Sequence, residues 1–90
     1  MSQYHKLHWS KDQIRSARQA NIAPLLIQRG FHLHHSGGDN FKVIEMPGII
    51  IKNNFWRRCD DGASGNTIDL FVKLLGMSFQ KTMAYIMENK

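Results

Sequence analysis

The chain has 90 residues, 42% of them hydrophobic and 21% charged, with a formal charge of +5 and a single cysteine. That balance predicts one soluble domain over 1–90 with a modest core, and argues against intrinsic disorder. One cysteine excludes an intramolecular disulfide framework, the apolar runs are too short to span a bilayer, and the positive charge favours polyanions, nucleic acid before anionic membrane.

Met1 to Trp9 lacks the apolar run of a signal peptide, so a reducing cytoplasm is the expected setting. Ser10 as N-cap, Gln13 completing a capping box, and Trp9 with Ile14 as a hydrophobic staple predict a helix over 9–20. A second short helix should begin at Asn21, run through Ile22, Leu25 and Leu26, and stop at Gly30. Pro24 falls in its first turn, where a missing N–H does little harm.

The period then shortens from helix to strand. Phe31 to His35 alternates before a Ser36-Gly37-Gly38-Asp39 turn, and Phe41 to Glu45 makes a second strand ahead of Pro47-Gly48. Ile49 to Lys52 and Phe55 to Arg58 are joined by a tight Asn53-Asn54 hairpin. The Gly62-Ala63-Ser64-Gly65 stretch reads as a turn feeding a helix cap; it lacks a P-loop lysine, and Asp60 and Asp61 would repel an anion. Asn66 should cap a helix whose apolar face is Ile68, Phe71, Val72 and Leu75, ending at Gly76. Ser78 should cap a last helix carrying Phe79, Met83, Ile86 and Met87. Two helices, a meander of three or four antiparallel strands, then two helices define an α+β domain.

Two pairs of polar residues keep the spacing of a zinc ribbon without its ligands: Asp39 with Lys42, and Arg58 with Asp61. These positions predict either a charge-balanced cluster of two acids and two bases, or four solvated loop residues. A structural zinc supplies about 10–16 kcal/mol of apparent binding free energy. Exposed ion pairs supply about 0.2–1 kcal/mol each, so apolar burial must hold such a fold together. Phe31, Phe41, Ile49, Ile51, Phe55, Trp56, Ile68 and Phe71 are the candidates.

The residues Asn21 to Leu26 with Gly30, Pro47 to Ile51, Trp56-Arg57-Arg58, Gly65-Asn66-Thr67-Ile68-Asp69-Leu70-Phe71 and Gly76 to Phe79 carry a family likeness. The run from Gln19 to Glu88 resembles the zinc-binding domain of bacterial DNA primases. It is more similar still to a metal-free relative of that domain, found ahead of toprim-like domains in proteins of plasmids and other mobile elements. In that resemblance Asp39, Lys42, Arg58 and Asp61 stand where one His and three Cys belong, and Cys59 is one place off register. The resemblance implies a zinc-ribbon-like sheet in a non-catalytic, cofactor-free DNA-binding domain, accessory to primer synthesis or mobile-element transfer. It also leaves open a module that docks onto a primase, helicase or toprim-containing partner.

For DNA, the expected contacts are Lys52, Trp56, Arg57 and Arg58 on the hairpin, helped by Arg15 and Arg18, which with Lys11 recur at helical spacing. Cations track phosphates and a ring stacks on a base, which suits single strands. Alternation puts Phe55 with Arg57 on one side and Trp56 with Arg58 on the other, so the opposing reading makes Trp56 core. His32, His34, His35 and Cys59 are the sharper metal candidates and His5 and His8 the weaker, yet no Cys-x-x-Cys or His-Glu-x-x-His accompanies them. No nucleophile–base pair or carboxylate dyad emerges, so no enzyme activity is expected, and the chain is expected to be monomeric.

Overall fold

The structure, a computed structural model, describes residues 8–90; the sequence readings on residues 1–7, including His5, lie outside the described residues. Two helices, α1 (Lys11–Arg18) and α2 (Ile22–Gln28), precede five strands: β1 (Leu33–His35), β2 (Asn40–Val43), β3 (Ile49–Lys52), β4 (Phe55–Arg58) and β5 (Ser64–Asn66). A short α3 (Thr67–Asp69) runs into a π-helical segment, Leu70–Leu74, and α4 (Phe79–Asn89) ends the chain. The fold is α+β, with one five-stranded antiparallel sheet in the order β1-β2-β3-β4-β5.

The expected caps form. Ser10 Oγ accepts from the Gln13 N–H, and Gln13 Oε1 accepts from the Ser10 N–H. Two of the four orphan donors at the start of α1 are thereby satisfied. Asn21 makes no side-chain cap bond. Its helix is capped by a tertiary contact instead: the Ile22 N–H donates to the Asn53 carbonyl at 2.9 Å. The adjoining Asn54 amide donates to the Arg18 carbonyl at 3.1 Å, so the β3–β4 turn is pinned across the α1–α2 junction. Asn53 holds φ at +54°, a left-handed conformation that Asn tolerates in a two-residue hairpin.

Helices cover one side of the sheet. Val43, Ile49, Ile51 and Trp56 point into the core, with Phe41 half-buried beside them, and meet Ile22, Leu25, Leu26, Ile68, Leu70, Phe71, Met83 and Ile86. Phe55, an expected core residue, is exposed, and so is Phe79 at the start of α4. Phe55 lies one step off the buried row, whereas Phe79 is in line with Thr82, Met83 and Ile86 and is exposed as the first residue of its helix. No helix among the described residues is long and apolar enough to cross a membrane.

The fifth strand was not expected, and it explains the Gly-Asn-x-x-Asp stretch. Gly65 pairs with Trp56 and has no room for a side chain: a Cβ there would lie 2.6 Å from Asp69 Oδ2 and 2.7 Å from Asp69 Cβ. Asn66 and Asp69 form a reciprocal capping box at 3.0 and 3.1 Å. The buried Thr67 hydroxyl donates to the Ala20 carbonyl, and the Trp56 indole N–H donates to the Asn66 carbonyl at 3.0 Å. Every polar residue of the stretch is committed to joining strand, helix and core. Glycine is a weak strand former, which is why composition reads this segment as turn.

The helix after Asn66 also departs from a plain α-helix. The Leu75 N–H donates to the Leu70 carbonyl, the five-residue spacing of a π turn, and the Met77 N–H reaches the Phe71 carbonyl six residues back. Gly76, at φ +69°, closes it. Gly65→Ala should lower stability by about 1–3 kcal/mol, the range for overpacking. Urea denaturation checks this, and Asp69→Asn should not rescue the variant, because Asp69 Cβ is itself part of the collision.

Candidate nucleic-acid interface

A meander places alternate turns at the same end of the sheet, and this decides the fate of the zinc-like spacing. The β2–β3 turn (44–48) and the β4–β5 turn (59–63) lie together, with the Cys59 N–H donating to the Gly48 carbonyl at 2.8 Å. The β1–β2 turn carrying Asp39 lies at the opposite end, beyond the Asn40–Lys52 pair. Lys42 and Arg58 belong to opposite faces, since Lys42 aligns with Ile50 and Arg57 whereas Arg58 aligns with the buried Ile49. Of the four positions, only Arg58 and Asp61 meet, at 3.1 Å. The charge-balanced cluster is therefore corrected to one local ion pair, with Asp39 and Lys42 solvated. The first pair sits at the β1–β2 end of the meander, away from the turn that carries Asp61.

The metal candidates are also dispersed. His32 Nδ1 is bonded to the Glu45 carboxylate, and His35 Nε2 to the Gly38 carbonyl with its ring edge-on to Phe41. Cys59 is exposed. Among the described residues, no group of three or more His, Cys, Asp or Glu is placed to hold a metal ion.

Among the described residues, no helix covers the opposite side of the sheet. Strand register aligns His34, Lys42, Ile50, Arg57 and Ser64 in one row across it, with Asn40, Lys52 and Phe55 in the next. Lys42, Lys52, Arg57 and His34 are exposed and Ile50 half-buried. Phe55, 49% exposed, lies directly opposite Lys52, and Ile44, 56% exposed, closes one end. Adjacent strands are about 4.8 Å apart, so the Lys42 and Arg57 backbones are about 10 Å apart across Ile50.

Charge is distributed unevenly. The seven acidic residues all lie in turns or helices, and none of the five strands contains one. The ion pairs among the described residues are Arg15–Asp12, His32–Glu45 and Arg58–Asp61. Lys42, Lys52 and Arg57 take part in none of them. The open face is thus a cationic platform with one aromatic ring and no carboxylate in its strands.

The expected contact residues separate accordingly. Lys52 and Arg57 share the open face. Trp56 does not: it is 1% exposed, with its N–H bonded within the core, so it has no ring face to offer; the aromatic ring exposed on the open side is Phe55. Arg58 is aligned with the helical side and committed to Asp61. Arg15 and Arg18 are exposed on α1, which packs against α3 and α4 and not on the open face. Lys42 and Phe55 share this face without being among the expected contacts, and the alternation that groups Phe55 with Arg57 carries the signal for one of them.

Comparison with known proteins returns no match to any protein-family model, curated protein or solved structure.

Asp61 has a distinct structural task at the end of β4. Its carboxylate accepts from the Ala63 N–H at 3.0 Å and from Arg58, and these bonds hold its pKa below the usual aspartate range. A lowered folded pKa means that the stabilisation is present above the ordinary aspartate pKa. It is lost as pH falls through the lowered value. Amide exchange at Ala63 should therefore become less protected on acidification below pH ~4, and Asp61→Ala should show that lower protection already at neutral pH.

Proposed function

We propose that the open sheet face binds single-stranded DNA, and that the protein is a non-catalytic accessory of primer synthesis or mobile-element transfer. The observation that carries this reading is the grouping of Lys42, Lys52 and Arg57, three cations without an ion pair among the described residues, around half-buried Ile50 and exposed Phe55 on carboxylate-free strands. The resemblance of the Gly65–Phe71 stretch and its flanks to the metal-free relative of the primase zinc-binding domain supports the replication setting. On this reading the protein works as a monomer in the cytoplasm, without a cofactor.

The physical basis is direct. Each cation that meets a phosphate releases condensed counterions, which drives association at low salt. A base stacks on the exposed Phe55 ring irrespective of its identity, so single strands are preferred over duplexes, whose bases are already stacked. The sheet holds ring and cations at fixed separations, reducing the ordering needed on binding. Trp56 contributes from beneath by keeping Phe55 and Arg57 on the outer side.

Anisotropy titration with labelled single- and double-stranded oligonucleotides between about 50 and about 200 mM salt tests this reading. Three phosphate contacts predict a log–log slope of about −2 on single strands, at about 0.7 per contact. Lys42→Ala, Lys52→Ala or Arg57→Ala should each reduce the slope by about 0.7, and Arg58→Ala should leave it unchanged. Phe55→Ala should cost about 1–3 kcal/mol of affinity without altering the slope. No binding at low salt would overturn the proposal and favour the protein-docking module, with Ile44 and Phe55 as apolar contacts.

A further inference from the structure

Three histidines follow one another along the first strand, and the structure gives each a different environment. His32, just before β1, is bonded to Glu45 through its ring, and its backbone N–H donates to the same carboxylate at 2.8 Å. His35 belongs to the row of Phe41, Ile51 and Trp56 on the helical side, and its ring is tied to the Gly38 carbonyl. Of the β1 residues His34 faces the open side, exposed and directly opposite Lys42, with no ion pair among the described residues.

We infer that His34 extends the binding row onto β1 and contacts a DNA phosphate only when its imidazole is protonated. This rests on the open face being the DNA site. The row Arg57–Ile50–Lys42–His34 then crosses the strands over about 15 Å, three strand spacings, so that the DNA runs across the sheet and not along it.

The electrostatics support coupling to protons. The groups facing His34 come from β2, because β1 is an edge strand: Lys42 opposite, uncharged Asn40 and Ile44 diagonally placed, and the Glu45–His32 pair past the strand end. Opposed side chains on neighbouring strands stand about 5 Å apart at Cβ. A cation at His34 is therefore opposed by Lys42 in the free protein. A phosphate bridging the two relieves that repulsion, so DNA binding and proton uptake reinforce each other. The sign follows: a charged imidazole here strengthens the phosphate contact, so affinity rises on acidification.

The test is single-strand affinity and its salt slope at about pH 8 and about pH 5.5, on either side of the imidazole range. The intact protein should bind about three- to fivefold tighter at the lower pH, the worth of one exposed charge pair, with a slope steeper by about 0.7. His34→Gln should abolish both changes, His34→Lys should give the tighter, steeper binding at both pH values, and His32→Gln should retain the pH dependence. Binding that persists with the same pH dependence in His34→Gln would overturn the inference while leaving the DNA-binding reading intact. Absence of binding at either pH would remove both.

Discussion

The parity of the sheet depends on where Trp56 goes. A strand shows alternate residues to opposite sides, so burying one large ring fixes the direction of every neighbour. With Trp56 in the core beside Ile51 and Phe71, Phe55 and Arg57 must face outward. Pairing transmits this choice to Lys52 and Ile50, then to Lys42, then to His34. Fully burying an aromatic side chain is worth about 1.5–3 kcal/mol, and the indole N–H keeps a partner in the Asn66 carbonyl. The opposite parity would expose the indole and turn Lys42, Lys52 and Arg57 inward, which is far more costly.

The same residue couples the sheet to the C-terminal helices. Trp56 lies across from Gly65, whose missing side chain lets Asp69 close over the start of α3. Thr67 ties this junction to the end of α1, and Asn53 and Asn54 tie the hairpin turn to α1 and α2. Asn66 and Asp69 are consequently structural residues. The platform is free to carry cations because the polar groups that hold the fold together lie behind or beside it.

Zinc-like spacing illustrates how far residue intervals alone can lead. Arg58 and Asp61 do sit in a turn of the kind that carries half of a ribbon site, and they do meet. Asp39 and Lys42 have the same interval, but their turn opens at the other end of the meander. The turn that neighbours Arg58 and Asp61 is residues 44–48, where Glu45 is engaged with His32. A three-residue interval does not encode which end of a sheet it will occupy.

Local chemistry was legible in the sequence wherever neighbours in the chain decide the outcome. The Ser10–Gln13 and Ser78 caps, the Gly30 and Gly76 stops, the Asn53-Asn54 hairpin, four strands and the α+β class follow from side-chain hydrogen bonding, left-handed backbone preference and hydrophobic period. The alternation of Phe55-Trp56-Arg57-Arg58 likewise limits the aromatic platform to one ring of two. Tertiary structure decided which ring, by burying the larger beneath the helices. It also decided that Ser64–Asn66 would extend as a fifth strand against Trp56, and that Lys42 would join Arg57 instead of Asp61. Those outcomes depend on contacts between residues distant in the chain, whose register is set by the shared core and not by any local interval.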